Sequence, residues 1–244
     1  MKKKSKIVIP LILLLLVALV VCANIWRRQS AVRQVRVEID YCGADTLVHA
    51  DRVEAYIQKK MPDLAKQQLQ DIDLHRIDSL IDSTPFLHHT QTSATIGGSI
   101  VVYALQRRPL VHVCAQGEEY YLDDHCGRMP LSQHGFANVI IANGSISNKP
   151  NSKSQKQVWQ LASYLDSHPD LAPLFDQIYR DSKGDLFLTP KLGNHVVQVG
   201  NTDNLDEKFS NLMAFYSRGL SQTGWDTYRQ VSVKYREQVV CTKR

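Results

Sequence analysis

The stretch Ser83–Pro109, STPFLHHTQTSATIGGSIVVYALQRRP, decides the fold of the chain's first half. Phe86 to Ile96 reads as a strand, and Gly97-Gly98 as a hairpin turn, because glycine alone accepts the backbone of a tight reversal at no steric cost. Ser99 to Arg107 follows as the partner strand, with Ile100, Val102 and Ala104 on one side. Arg107-Arg108-Pro109 ends the unit, since proline supplies no N–H to a ladder. His88 and His89 are adjacent in the first of these strands, so they are expected on opposite faces and unable to share a metal.

Upstream, Val35, Val37 and Ile39 alternate with Arg36, Glu38 and Asp40, the period of a half-buried strand. Gly43-Ala44-Asp45 is a turn. Asp51 is expected to cap a helix over Arg52–Lys60 whose Val53, Tyr56 and Ile57 share a face. A second helix spans about Asp73–Asp82 with Leu74, Ile77, Leu80 and Ile81 on one side, and Ser83-Thr84-Pro85 stops it. The order β-α-α-β-β within 33–109 is that of a compact α+β module.

Before it lies Ile7–Ile25, IVIPLILLLLVALVVCANI, with no charged residue. At about 1.5 Å per residue it gives about 28 Å of helix, close to the bilayer's hydrocarbon thickness. Its apolar core is too long for a cleaved leader, and bulky Val21 before Cys22 disfavours a lipoprotein signal. A transmembrane helix over 7–26 behind a basic tail, 1–6, is therefore expected. Lys2, Lys3, Lys4 and Lys6 only slightly outweigh Arg27, Arg28, Arg33 and Arg36, a small lean toward a cytoplasmic N-terminus.

Downstream, 110–244 reads as a mainly antiparallel β domain with flanking helices. Leu110–Ala115 and Glu118–Leu122 are strands, Asp123–Gly127 is a turn, Met129–Leu131 starts a strand, and Ala137–Ala142 is a buried one. Val158, Leu161, Ala162 and Leu165 mark an amphipathic helix. Gln177–Asp181, Leu186–Leu192 and His195–Gly200 form a meander. Leu205–Leu220 is a long helix, and Tyr228–Tyr235 and Glu237–Thr242 are the last strands.

Composition excludes several functions. The 244 residues carry a net charge of +5 with four lysines before the apolar run, so the remainder is near neutral and carries no basic stripe for nucleic acid. The five cysteines include no C-x-x-C pair, which removes the usual zinc and thioredoxin-like patterns. Cys42, Cys114, Cys126 and Cys241 are read as small buried residues that form disulfides only in an oxidising compartment. Asp123-Asp124-His125-Cys126 crowds ligand types into one turn, but adjacent carboxylates beside Gly127 are what a turn favours. No H-E-x-x-H, G-x-S-x-G or P-loop pattern occurs. No cofactor, metal, catalytic residue or small-molecule substrate is expected, and the chain reads as a binding scaffold rather than an enzyme.

The ordered set of elements resembles the FtsQ/DivIB family of bacterial cell-division proteins. A basic tail and one apolar segment come first. VRVEI through STPFLHHTQTSATIGGSIVVYALQRRP looks like a POTRA domain. YYLDDHCGRMPL (120–131) is similar to the hydrophobic-Asp-x-x-Gly hairpin that opens the family's β domain, and VSVKY (231–235) resembles its closing strand. That strand often reads Asp-Leu-Arg-Tyr; here the basic-Tyr pair is kept and the Asp is not. The resemblance implies a divisome scaffold in the inner membrane at the septum, N-terminus cytoplasmic and bulk periplasmic, that binds an FtsB/FtsL-like pair and helps recruit septal peptidoglycan synthesis. A POTRA-bearing component of polypeptide transport or outer-membrane assembly is the alternative.

The residues make the binding mode concrete. A sheet edge leaves N–H and C=O groups open to an added strand. Gln230–Tyr235, or the short strand after it, is the expected edge, with Gln230, Ser232 and Val233 along it, Tyr235 as an aromatic anchor and Lys234 meeting an acidic partner residue. The bland alternative has Val231, Val233 and Tyr235 packing on the helix at 205–220.

Overall fold

The computed structural model describes residues 14–19, 21, 32–95, 97–220 and 224–244. The expected membrane-spanning helix is overturned: among the described residues no helix is long and apolar enough to cross a membrane. Of 7–26, the described residues 14–19 and 21 are helical. The rest of that segment, with Pro10, Cys22 and Asn24, lies outside the described residues.

The chain divides into two compact units, one holding the described residues up to Cys42 with Val48–Gln106, the other Gly43–Leu47 with Arg107–Arg244.

In the first unit β1 (Gln34–Asp40) is followed by helices α1 (Ala50–Lys60) and α2 (Leu74–Asp82), then β2 (Leu87–Ala94) and β3 (Ser99–Gln106). The sheet order is β1-β3-β2, with β1 parallel to β3 from Gln34↔Ser99 to Asp40↔Leu105. The apolar stripes meet as their periods require: Val53 and Ile57 of α1 and Ile77 and Ile81 of α2 pack over Val37, Ile100, Val102 and Ala104. Two local readings are corrected. His49 holds the N-cap of α1 and Asp51 sits inside its first turn, where its charge suits the helix dipole. His88 and His89 do not simply alternate, because the register shifts between His88 and Gln91 and His89 takes φ of 51°, so the two rings stand 4.5 Å apart. A bulge of this kind re-aims side chains locally.

The second unit is one sheet of nine strands: β4 (Pro109–Ala115), β5 (Glu118–Asp123), β6 (Arg128–Met129), β7 (Ile140–Gly144), β8 (Phe175–Arg180), β9 (Leu186–Pro190), β10 (Val196–Gly200), β11 (Tyr228–Ser232) and β12 (Val240–Lys243). Their order is β12-β11-β10-β9-β8-β7-β4-β5-β6. The sheet is mixed: β4–β7, β7–β8 and β10–β11 are parallel, while the other five pairings keep the expected antiparallel sense. Helix α3 (Lys153–Asp166) lies between β7 and β8, and α4 (Leu205–Phe215) between β10 and β11. A connection carrying a helix is what a parallel neighbour needs.

Both helices bury their apolar stripes on one face of this sheet. Val158, Leu161 and Leu165 of α3 and Phe209 and Leu212 of α4 share a core with Val111, Val113, Ala142, Ile178, Leu188, Val197 and Val231. The start of α3 is fixed by Ser152, whose hydroxyl accepts from the Gln155 N–H. α4 is shorter than its apolar stripe: at Tyr216–Leu220 the helix widens into a π-turn containing Gly219, which still seats Tyr216 and Leu220 in the core.

Candidate partner-binding edge

β11 is the axis of the candidate site. It runs parallel to β10, with Val196↔Gln230, Val197↔Val231 and Gln198↔Ser232, and antiparallel to β12. The strand alternation sends Val231 into the helix-covered core, and Val233, one residue past the strand, follows it; both are fully buried. Gln230 and Ser232 point to the opposite face.

On that face the polar groups form a chain across three strands. Gln230 Nε2 donates to Gln198 Oε1 at 3.0 Å, and Gln198 Nε2 donates to Asp185 Oδ2 at 3.0 Å. Lys234 Nζ donates to the same carboxylate oxygen at 2.7 Å. That bond holds the ammonium above its ordinary range. Asp185 sits in the turn before β9, where its N–H is bound by Asp181. The aliphatic stem of Lys234 crosses Gly200, and a Cβ there would meet Lys234 Cγ at 2.7 Å, at a φ of +77° that glycine tolerates. Ser232 is buried with its hydroxyl without a hydrogen-bond partner.

Tyr235 is 52% exposed. It lies in a bend beyond β11, not in a strand, so the expected strand Tyr228–Tyr235 is shorter by three residues. The ladder stops because the chain reverses toward β12, with Glu237 at φ of 59° in the turn. Tyr235 lines a surface groove with Lys208, Glu207, Asn201, Lys234 and Arg236. Lys208 is itself buried, and Nζ bonds Asn201 O at 2.8 Å and Asn201 Oδ1 at 2.7 Å. Burial lowers its pKa.

One edge of the sheet is the two-residue β6 and the other is β12, bonded on one side to β11 through Ser232↔Val240, Val231↔Cys241 and Gln230↔Thr242. Val240 is 44% exposed there. At the other end of β11, His195 is buried beneath Trp225 and Tyr216, with Nε2 2.8 Å from the Tyr216 hydroxyl.

The five residues expected at the site thus divide. Gln230 and Lys234 belong to an intramolecular polar chain, Ser232 and Val233 are buried, and Tyr235 alone is freely presented. Asp185, Gln198 and Lys208 carry no role that the sequence alone reveals. Asp185 has a local signal, a carboxylate closing the Lys183-Gly184 turn, but which lysine it meets depends on strand order.

Residues 108–242, nearly the whole second unit and more than half the chain, match the family model described as "FtsQ/DivIB, C-terminal related". No curated protein matches the chain. With the core of the second unit and nearly all of its mixed sheet inside that match, the chain belongs to the FtsQ/DivIB, C-terminal related family, a family of cell-division proteins.

Proposed function

We propose that this chain is a non-catalytic scaffold of the division machinery, and that a segment of an FtsB/FtsL-like partner adds as a further strand beside β12. The observation that carries the reading is the position of β12: family membership points to cell division, and β12 ends the sheet with one neighbour only. Such an edge offers main-chain hydrogen bonds to an extended segment, and alternate side chains supply selectivity. Tyr235, presented beside that edge, is the aromatic anchor. Lys234 reaches an acidic partner residue only by sharing or leaving Asp185, which makes it a register-setting residue more than a free cation. In the same reading the first unit is a POTRA module. Its β-α-α-β-β order, with β1 parallel beside β3, supports that assignment.

The test is co-purification of the full chain with an FtsB/FtsL-like pair, using Tyr235→Ala and Val240→Asp. A charge in place of the exposed Val240 side chain disfavours an added apolar strand without entering the core. Loss of the partner in both, with folding retained by circular dichroism, is expected. Undiminished capture by the folded double variant rejects the edge, and absence of a fluorescent fusion from mid-cell rejects the division role.

A further inference from the structure

The face of the large sheet opposite α3 and α4 carries a second cluster. On β4, Val111, Val113 and Ala115 enter the core, so His112 and Cys114 stand together on the other face. Glu119 of β5 is directly opposite Cys114 in the antiparallel register, and joins them. His112 Nε2 lies 3.5 Å from Cys114 Sγ and 3.4 Å from Glu119 Oε2. One ligand atom from each residue lies within 4.8 Å of the others.

We propose that His112, Cys114 and Glu119 form a binding site for a zinc-class divalent cation, with a further coordination position open to solvent. Zinc bonds of about 2.3 Å to sulfur and about 2.0–2.1 Å to nitrogen and oxygen, at tetrahedral angles, separate sulfur from nitrogen by about 3.5 Å and nitrogen from oxygen by about 3.4 Å. Both observed separations match that geometry. The donor set is the one a borderline-soft ion selects: thiolate, imidazole, carboxylate. Neighbouring strands of one sheet fix the three positions, and the imidazole is oriented by the Tyr121 ring, whose centroid is 5.1 Å away. The side chains of His112 and Glu119 are 20% and 56% exposed, so an ion reaches the cluster from solvent. On binding, the Cys114 thiol releases its proton to water and Sγ takes the metal in its place.

The other carboxylate-histidine group, Asp123, Asp124 and His125, lacks these properties. Asp123 is held by Arg107 Nε at 2.8 Å and by the His125 and Gly127 N–H groups, and no thiol takes part.

Cobalt(II) titrated into the reduced full chain tests the proposal. One equivalent per chain is expected to give the thiolate-to-cobalt absorption band, displaced by zinc. The band is expected to vanish in Cys114→Ser, to weaken in Glu119→Gln, and to persist in Cys126→Ser and Cys241→Ser. A wild-type chain without the band, or a band that survives Cys114→Ser, overturns the proposal. Alkylation of the wild-type protein, mapped by mass spectrometry, tests the same site without a variant: zinc is expected to protect Cys114 selectively, and equal labelling of Cys114 with and without zinc overturns it.

Discussion

Lys234 and Asp185 are joined at 2.7 Å, which pins the segment leaving β11 to the turn that precedes β9. Their sequence separation means that the contact exists only after β9, β10 and β11 have aligned. Lys234 is 38% exposed and Asp185 20%, so water screens the pair. Lys234→Ala is expected to cost about 0.2–1 kcal/mol by chemical denaturation. Asp185→Ala is expected to cost more, because Gln198 also loses its acceptor. A double-mutant cycle on the two measures the coupling.

Arg107 and Asp123 make a less exposed pair, 17% and 6%, at 2.7 Å. Asp123 also accepts the N–H groups of His125 and Gly127, so one carboxylate organises the whole turn after β5. Removing one partner leaves a charge with little water. Asp123→Ala is expected to destabilise by about 3–5 kcal/mol. Gly127→Ala is expected to act through the same site, since its Cβ would lie 2.5 Å from Arg107 Nη2. Non-additive denaturation midpoints in the double variant are the check.

His195 predicts an acid-side loss of stability. Burial first, and the Arg244 charge second, hold its pKa below the ordinary 6.5. Its Nδ1 is buried with no hydrogen-bond partner. The unfolded chain therefore binds a proton that the folded chain refuses. Stability is full above about pH 6.5 and falls as pH drops toward the folded-state pKa, by at most about 1.4 kcal/mol per pH unit. His195→Gln is expected to flatten this slope while reaching the Tyr216 hydroxyl. Urea midpoints between about pH 5 and 7.5 decide it.

Ser152 supplies the side-chain cap of α3. Ser152→Ala is expected to cost about 1 kcal/mol, and Ser152→Asp to restore most of it. Thermal melts of the three chains test the pair of substitutions.

Much of the fold is legible in the sequence because its signals are local. The Gly97-Gly98 reversal, the stripes of α1 and α2, and the alternation of β4 each occupy a few consecutive residues. The parallel pairings of β4 with β7, across β5 and β6, and of β10 with β11, across α4, are not legible, since they unite segments distant in the chain and no short window records them. The same distance effect hides the Gln230–Gln198–Asp185–Lys234 chain. Tyr235 mimics a strand residue because Val231, Val233 and Tyr235 keep period two past the point where the ladder ends. Likewise Leu220 extends the helical stripe, while the backbone has left regular α-helix at Tyr216.

The short β12 has a consequence in time. It is held by β11 alone and joined to it by a brief turn, whereas β11 docks only after the long excursion through α4 has closed. Closing that excursion is the costly entropic step, and the β11–β12 reversal adds little once it is done. Opening should run in the reverse order. Amide hydrogens of Val240–Lys243 are thus expected to exchange well before those of β8 and β9. The edge is the part of the sheet that unpairs and re-forms while the rest of the fold stays closed.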